Sequence, residues 1–375
     1  MTNLPVPFKG APREEQAEPF RERRDSRGLR LGWTTGTCAT AAAKAAAMGL
    51  YSGTPPKTVD ISLPDGTREW FEVEIEGATR AAVIKDAGDD PDCTHGARVT
   101  AKVSLARRGP ETETELAAGP GVGTVTKRGL GLPIGDPSIT PVPRRMILAA
   151  LSEVTNEPLT VVFSVPDGEA MAEHTSNARL GIVGGISILG TTGVVKPYST
   201  AAWRASIVQQ IDVAAAQGEP TMVLATGTRT ERLAMRLFPG LDDVCFVEVG
   251  DYTGTALKRM VQAGMVHAVV AGMAGKLSKL ASGVMMTHFR RSKVDGQLLA
   301  AVAKSVKAPA AVVRAATATN TARHFFETCI AEGVVAPLER VCQMAKEACE
   351  EHAGGALSVE VLMADFEGTR VVARA

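Results

Sequence analysis

Three consecutive segments decide the fold: MVLATGTRTERLAMRL at residues 222–237, VCFVEVGDYTGTALKRMVQA at 244–263 and VHAVVAGMAGKLSKLA at 266–281. Each begins with a short apolar run, turns at a glycine and continues with apolar residues at helical spacing, which predicts a strand, a loop and a helix. Three such units in succession favour a parallel sheet, because parallel neighbours need a crossover helix. We therefore predict an α/β, Rossmann-like domain with a mainly parallel sheet over residues 218–375, which ends in helices and a hairpin.

Residues 28–217 follow a different pattern and predict an α+β domain. Apolar residues alternate at 58–63 and at 70–75, on either side of a Pro-Asp-Gly turn, which is typical of a hairpin with one buried face. The predicted strands are grouped rather than separated by helices, which favours the α+β class. Residues 1–27 contain charges and prolines without periodic apolar residues, so we expect a disordered arm.

The composition disfavours several classes of protein. Lysine and arginine total 41, as do aspartate and glutamate, so the chain lacks the basic excess of a non-specific nucleic-acid binder. No apolar run is long enough to span a bilayer, and the N-terminal charges do not lead into a secretory signal. The six cysteines form no CxxC pair, which disfavours structural zinc and agrees with reduced thiols. We expect a cytoplasmic protein with no membrane or nucleic-acid partner and no bound metal. The sequence leaves both a monomer and a homo-oligomer possible.

The glycine turns of the three strand–helix units predict a cofactor site at the carboxyl edge of the sheet, where open α/β sheets bind ligands. Glycine lets a nucleotide approach the main chain, and the helix N-terminus supplies unpaired N–H groups. The run VEVGDYTG at residues 247–254 resembles the E-x-G-x-x-x-G loops of nucleotide-binding methyltransferases, where an acidic side chain can bind ribose hydroxyls. A single glycine of this kind is more often only a tight turn. The candidate cofactor-binding residues are Gly227, Thr228, Glu231, Glu248, Gly250, Asp251, Gly254, Gly272 and Gly275.

An acidic loop with the sequence DAGDDPDCTHG occupies residues 86–96, between two predicted strands. Its four aspartates repel one another unless they are solvated, capped by N–H groups or bound to a cation. Asp89, Asp90 and His95 are candidate catalytic bases, because the pKa of each group can be tuned towards neutral. The alternative, a set of Asx turns, has equal support. The spacing does not match an EF-hand calcium site.

Cys38 follows a Thr-Gly-Thr sequence at the predicted N-terminus of an alanine-rich helix, a position that lowers the pKa of a thiol. A nucleophilic Cys38 would indicate a thiol-dependent acyl or amide transferase. The sequence near it contains no G-x-C-x-G turn or paired histidine, and small thiols are commonly buried. Thr35 and Thr37 are better placed than the thiol to donate hydrogen bonds to an anionic ligand.

Two further features indicate a large anionic ligand. Arginine pairs such as Arg144 and Arg145 suit carboxylates, although a solvated helix face is the more common role of any single arginine. The apolar, glycine-rich segment at residues 181–193 could wrap around a flat macrocycle or form a buried loop between domains. The candidate substrate-binding residues are Thr35, Thr37, Arg144, Arg145, Gly184, Gly185, Thr191, Thr192 and Lys196.

Four segments together resemble the CbiD-type cobalt-precorrin-5B C1-methyltransferase family. They are LRLGWTTGTCATAAAKAAA at residues 29–47, KDAGDDPDCTHG at 85–96, GVGTVTKRGLGLPIGDPSITPVPRRM at 121–146 and RLGIVGGISILGTTGVVKPYSTAAW at 179–203. The resemblance implies methyl transfer from S-adenosylmethionine to C1 of cobalt-precorrin-5B, a corrinoid, giving cobalt-precorrin-6A in cobalamin biosynthesis. In this interpretation the domain at 28–217 holds the substrate and the domain at 218–375 holds the methyl donor. A non-catalytic tetrapyrrole-binding protein is the remaining alternative.

Overall fold

A computed structural model of the chain describes residues 23–106, 113–288, 293–318 and 321–375. Residues 1–22, most of the predicted disordered arm, lie outside the described residues. The described end of that arm makes ordered contacts, because the Arg23 guanidinium pairs with the carboxylate of Glu69 and Arg24 forms a β-bridge with Arg30. Residues at the end of the predicted arm therefore contact the folded part of unit 1.

Strands and helices are numbered separately along the chain. The strands are β1 (Gly32–Trp33), β2 (Thr58–Ser62), β3 (Arg68–Glu72), β4 (Glu74–Gly77), β5 (Arg80–Ile84), β6 (Arg98–Leu105), β7 (Glu115–Ala118), β8 (Gly121–Val122), β9 (Thr124–Val125), β10 (Leu159–Ser164), β11 (Ile182–Val183), β12 (Gly185–Ile186), β13 (Val194–Val195), β14 (Thr221–Ala225), β15 (Phe246–Glu248), β16 (His267–Met273), β17 (Ser358–Ala364) and β18 (Val371–Arg374). The helices are α1 (Thr35–Ser52), α2 (Pro141–Ser152), α3 (Gly168–Ala172), α4 (Thr200–Ala216), α5 (Thr228–Leu237), α6 (Thr253–Gln262), α7 (Ala274–Ala281), α8 (Gly296–Ser305), α9 (Ala310–Ala318), α10 (Ala322–Ala331) and α11 (Ala336–His352). The predicted mixture of helices and strands is confirmed.

The chain forms two compact units, and neither is continuous in sequence. Unit 1 comprises Met1–Leu116, Ile139–Pro166 and Ile188–Tyr198, and unit 2 comprises Ala117–Ser138, Asp167–Ser187 and Ser199–Ala375. This division differs from the predicted boundary between residues 217 and 218. Within unit 2, β8 pairs with β12 and β9 pairs with β11, so segments far apart in sequence are joined. Pairing between such two-residue strands leaves no periodicity from which a boundary could be predicted.

Unit 1 is built around the buried, alanine-rich helix α1. Its alanines from Ala39 to Ala47 are fully buried, and the helix packs against β5, β6 and α2. Gly36 allows α1 to approach α2 closely, because a Cβ at this position would lie 2.5 Å from Cγ of Pro143. The sheet has the order β4-β5-β6-β10-β7, and the predicted hairpin is present as β2 and β3.

Unit 2 contains a second five-stranded sheet with the order β15-β14-β16-β17-β18. The first four strands pair in parallel, and β18 pairs antiparallel to β17. The sequence predicts residues 357–366 only as part of a closing hairpin, but β17 also pairs with β16 over seven residues. Four carboxyl ends therefore meet at one edge of the sheet, rather than the three predicted ones.

The strand order creates a switch point at β14. The chain passes from β14 to β15 on one side and then crosses to β16 on the other, so the loops that follow β14 and β16 diverge. In the described part of the chain, no helix has both the length and the apolar character needed to cross a membrane. The same residues contain no group of three or more histidines, cysteines or acidic residues that could hold a metal ion.

Candidate functional site

A cavity of about 820 Å³ lies at the carboxyl ends of the parallel strands of unit 2, and we call it the rim pocket. This volume falls in the range of small-molecule and cofactor sites. The pocket is lined by Thr226, Gly227, Thr228, Arg229, Thr230, Asp251, Met273, Gly275, Lys276, Lys279, Thr287, Lys293, Val294, Thr321, Ala322, Arg323 and Phe366. Residues that follow β14, β15, β16 and β17 all contribute, so the structure brings the three predicted glycine turns to one pocket.

Two of the predicted glycines present bare main chain to the rim pocket. Gly227 caps the N-terminus of α5, and Gly275 lies in the first turn of α7. A Cβ built on either residue meets no other atom within 4 Å, so open space lies where a side chain would be. A ligand can therefore contact the main chain directly at two helix N-termini.

The other three predicted glycines are explained by packing or by backbone conformation. A Cβ on Gly254 would lie 2.7 Å from Cβ of Met285, and one on Gly272 would lie 2.9 Å from the side chain of Leu277. Gly250 has a φ of 55°, in the left-handed region that favours glycine. These three glycines shape the loops around the pocket and are not among its lining residues.

The predicted acidic residues have different environments. The hydroxyl of Thr228 donates to Oε2 of Glu248 at 2.9 Å, so this carboxylate lies beside a residue of the rim pocket. The carboxylate of Glu231 is buried and accepts a 2.6 Å hydrogen bond from Arg179, outside the pocket lining. Of the two carboxylates, Glu248 is therefore the one that lies beside the pocket, whereas the contacts of Glu231 stabilise unit 2.

Asp251 is at the centre of a network on the floor of the rim pocket. Its carboxylate accepts from the Thr287 hydroxyl at 3.0 Å and lies 3.3 Å from Nζ of Lys276. Lys276 also donates to the carbonyl of Thr226 at 2.7 Å, and Lys279 donates to the carbonyl of Thr287 at 2.9 Å. Burial lowers the pKa of Lys279, and repulsion from Lys276 adds to this effect while Asp251 opposes it.

Most of the positive charge of the pocket was not predicted from the sequence. Among the described lining residues, one is acidic, Asp251, and five are basic: Arg229, Lys276, Lys279, Lys293 and Arg323. Phe366 was not predicted either; its carbonyl accepts from Arg229 at 2.7 Å and its ring lies 4.9 Å below the Arg323 guanidinium. Phe366 follows β17, so recognising β17 as a fourth parallel strand would have indicated this residue.

The candidate bases of the acidic loop lie in unit 1 and have structural partners. Asp89 accepts from the main-chain N–H of Arg30 at 2.7 Å, and this hydrogen bond is the largest influence that lowers the pKa of Asp89. Oδ1 of Asp90 accepts from the main-chain N–H of Tyr198 at 2.8 Å. These contacts hold the loop against two other segments of unit 1.

Other contacts in the same loop agree with the Asx-turn alternative. Asp86 accepts from the N–H of Gly88 at 2.9 Å, a hydrogen bond to the residue two positions later that defines an Asx turn. Nδ1 of His95 accepts from the main-chain N–H of Ala87 at 3.1 Å. In this tautomer Nε2 of His95 carries the proton, so neither ring nitrogen has a lone pair available for a substrate proton.

The predicted threonines of α1 bind the glycine-rich segment instead of facing solvent. The hydroxyl of Thr37 donates to the carbonyl of Gly193 at 2.6 Å, and the hydroxyl of Thr35 accepts from the N–H of Leu189 at 2.9 Å. Both threonines are buried. Their hydroxyls therefore fix the segment at residues 188–193 to the start of α1.

The remaining candidate substrate residues fall into both units. In unit 1, Arg144 and Arg145 lie in the first turns of α2, and Thr191, Thr192 and Lys196 lie in or beside the segment at 188–198. These five side chains therefore belong to the same unit as the segment that Thr35 and Thr37 hold.

In unit 2, Gly185 packs tightly, because its Cβ would lie 2.1 Å from the carbonyl carbon of Gly121. Gly184 is exposed, and a Cβ added to it would meet nothing within 4 Å. The glycine-rich segment is therefore divided between the units, in short strands, and does not form one continuous loop.

Cys38 does not have the surroundings of a nucleophile. Its side chain is fully buried in α1, and burial raises the pKa of the thiol to about 12. A thiol of this pKa is protonated at neutral pH and cannot act as a thiolate. The geometry therefore gives no support to a thiol-dependent transferase.

The chain matches one family over most of its length. A family model for CbiD matches residues 22–197, and a model for the C-terminal domain of CbiD matches residues 286–375. A protein of Salinispora arenicola (strain CNS-205), named cobalt-precorrin-5B C(1)-methyltransferase, is 54% identical over 354 residues, which are 92% of either chain. A protein of Rubrobacter xylanophilus with the same name is 52% identical over 372 residues, 96% of this chain and 95% of its own.

A solved structure is also similar. The cobalamin biosynthesis protein CbiD from Archaeoglobus fulgidus is 28% identical, with coverage of 73% of this chain and 93% of its own and a TM-score of 0.40. Each of the two relatives aligns with more than nine-tenths of the chain, and together with the family models they decide the assignment. The chain belongs to the CbiD family.

Proposed function

We propose that this chain transfers a methyl group from S-adenosylmethionine to C1 of cobalt-precorrin-5B, giving cobalt-precorrin-6A in cobalamin biosynthesis. The relatives from Salinispora and Rubrobacter bear the name of this activity and are more than half identical to the chain. A third relative with the same name, from Thermus thermophilus, is 45% identical over 361 residues. Relatives between 45% and 54% identical to the chain therefore share this name.

The rim pocket is our proposed site for the methyl donor. In this proposal unit 2 has a Rossmann-like arrangement. The observation that carries the proposal is the bare main chain of Gly227 and Gly275, which faces a cavity at the carboxyl ends of parallel strands. Thr228 and Glu248 lie together at the same edge, where they can meet the ribose hydroxyls. The donor brings its methyl group on a sulfonium, a good leaving group, so the task of these residues is to hold and align it.

A base in the acidic loop of unit 1 remains a proposal for the proton that the ring loses. Of the three candidates, Asp90 is the best placed, because the hydrogen bond from Tyr198 engages Oδ1 and not Oδ2. Asp89 is a weaker candidate, since its pKa is lowered by the hydrogen bond from Arg30. His95 would have to give up its hydrogen bond from Ala87 before it could take a proton.

Calorimetric titration of the full-length protein with S-adenosylhomocysteine tests the donor site. We expect saturable binding with one ligand per chain and competition by S-adenosylmethionine. Absence of binding, with cobalt-precorrin-5B still bound, would instead support the tetrapyrrole-carrier alternative and would remove the rim pocket as a donor site.

A further inference from the structure

The described lining of the rim pocket carries more positive than negative charge, and one of its cations, Arg323, is paired with Glu327 at 2.7 Å. The described lining residues include five basic side chains and one carboxylate. Two of the basic residues, Lys276 and Lys279, lie three positions apart on α7, so they lie on the same face of the helix. These two ammonium groups therefore lie together beside the loop that follows β16.

Of the two lysines, Lys279 is the more deeply buried. It is 8% exposed, and its ammonium donates to the carbonyl of Thr287, a neutral acceptor. An ammonium has three N–H donors, and a buried cation is costly unless negative charge lies close to it. The nearby carboxylate of Asp251 forms its ion pair with Lys276, at 3.3 Å. An anion that bound here would therefore be stabilised by both ammonium groups.

We propose that Lys276 and Lys279 form a carboxylate-binding subsite of the rim pocket. The inference rests on the proposed function, because both reactants then carry carboxylates: the methyl donor in its amino-acid moiety and the corrin precursor in its acidic side chains. Two lysines suit this role, since each presents charged N–H donors on a flexible stem to a carboxylate. Asp251 positions the pair, because it ties Lys276 to the floor of the pocket.

The donor's carboxylate can be separated from the rest of the donor by a pair of probes. S-adenosylhomocysteine carries the amino-acid moiety, whereas 5′-methylthioadenosine has the same nucleoside and thioether without it. We would titrate both probes calorimetrically into the wild-type protein and into Lys279→Met and Lys276→Met variants. Lys258→Met is the matched control, because Lys258 is an exposed lysine on α6 that does not line the pocket.

The expected result is a selective loss. Lys279→Met should weaken S-adenosylhomocysteine by about tenfold or more, the size expected when a hydrogen bond between charged groups is lost. Its affinity for 5′-methylthioadenosine should stay within about twofold of the wild-type value, which also shows that the variant is folded. Lys276→Met provides a second, less buried position should Lys279→Met fail to fold, and Lys258→Met should change neither affinity.

The Michaelis constant for cobalt-precorrin-5B separates the two sources of the carboxylate. If both probe affinities are unchanged but this constant rises about tenfold in the lysine variants, the subsite takes a side chain of the corrin precursor. If neither probe affinity nor this constant changes, the carboxylate subsite is refuted while the donor site stands. Failure of the wild-type protein to bind either probe contradicts the donor site itself, which is a different result.

Discussion

Replacement of Gly275 by valine is the sharpest test of the rim pocket. A Cβ at this position meets no atom within 4 Å apart from its chain neighbours and the backbone of its own helix, so open space lies where the side chain would begin. Gly275 lies in the first turn of α7, and glycine in a helix costs about 0.5–1 kcal/mol relative to alanine. Removal of the glycine therefore offsets the cost of a β-branched residue in the helix, and we expect a folded variant of nearly wild-type stability whose valine side chain projects into the pocket.

The effect on binding can be estimated from what the valine would displace. A ligand that contacts the bare main chain loses one hydrogen bond, worth about 0.5–1.5 kcal/mol. It also loses several carbon–carbon contacts at ~0.1–0.2 kcal/mol each. The sum is about 2 kcal/mol, which corresponds to a roughly 30-fold weaker dissociation constant for S-adenosylhomocysteine.

Calorimetry gives the affinity, and thermal unfolding followed by circular dichroism shows that the variant is folded. Gly240→Val is the matched control, because a Cβ at Gly240 also meets nothing within 4 Å but Gly240 does not line the rim pocket. The control should bind S-adenosylhomocysteine like the wild type. Wild-type affinity in a folded Gly275→Val protein would refute the idea that the donor lies against this main chain.

Three further predictions concern the donor site and the buried thiol. Glu248→Gln should weaken the binding of S-adenosylhomocysteine and of 5′-methylthioadenosine by a similar factor, about tenfold. Both probes carry the ribose whose hydroxyls are proposed to donate to this carboxylate. A loss of affinity for only one probe would contradict that role. Binding of S-adenosylhomocysteine should weaken as the pH rises through the lowered pKa of Lys279, since only its protonated form attracts a carboxylate and burial and Lys276 disfavour that form while Asp251 favours it. Calorimetry across pH should show a shallower dependence in Lys279→Met, where this ammonium no longer titrates, and identical profiles would exclude Lys279. Cys38→Ala should keep the wild-type rate of methyl transfer, and iodoacetamide should not label Cys38 in the folded protein, because burial raises the pKa of its thiol to about 12.

The parts of the fold that follow from local periodicity could be predicted from the sequence. The strand–helix units that contain β14, β15 and β16 occur where their apolar runs predict them. Each of these elements buries one face whose spacing can be read along the chain itself. The parallel partner of β17 could not be predicted in this way, because β16 and β17 are separated by 84 residues between Met273 and Ser358.

The same distinction explains which site residues were predicted. A glycine turn is a local signal, and the pattern therefore located Gly227 and Gly275 without knowledge of the sheet order. The role of a charged side chain depends on its nearest partner, which can lie anywhere in the sequence. Glu231 is an example, because its partner Arg179 is 52 residues away and no local pattern connects the two.

The acidic loop and the rim pocket each contain a cluster of like charges, but the two clusters differ in how their charges are balanced. The aspartates at 86 and 89 are met by N–H groups or by Arg30, so most of their charge is already balanced within unit 1. In the rim pocket Asp251 pairs with Lys276 and Glu327 pairs with Arg323, which leaves Lys279, among the described residues, with only a neutral carbonyl as its hydrogen-bond acceptor. A cluster of like charges whose members have partners stabilises the fold, whereas a cluster that faces a cavity with excess charge favours a ligand of opposite sign. By this criterion the excess positive charge of the rim pocket favours an anionic reactant, which is the basis of the proposed lysine subsite.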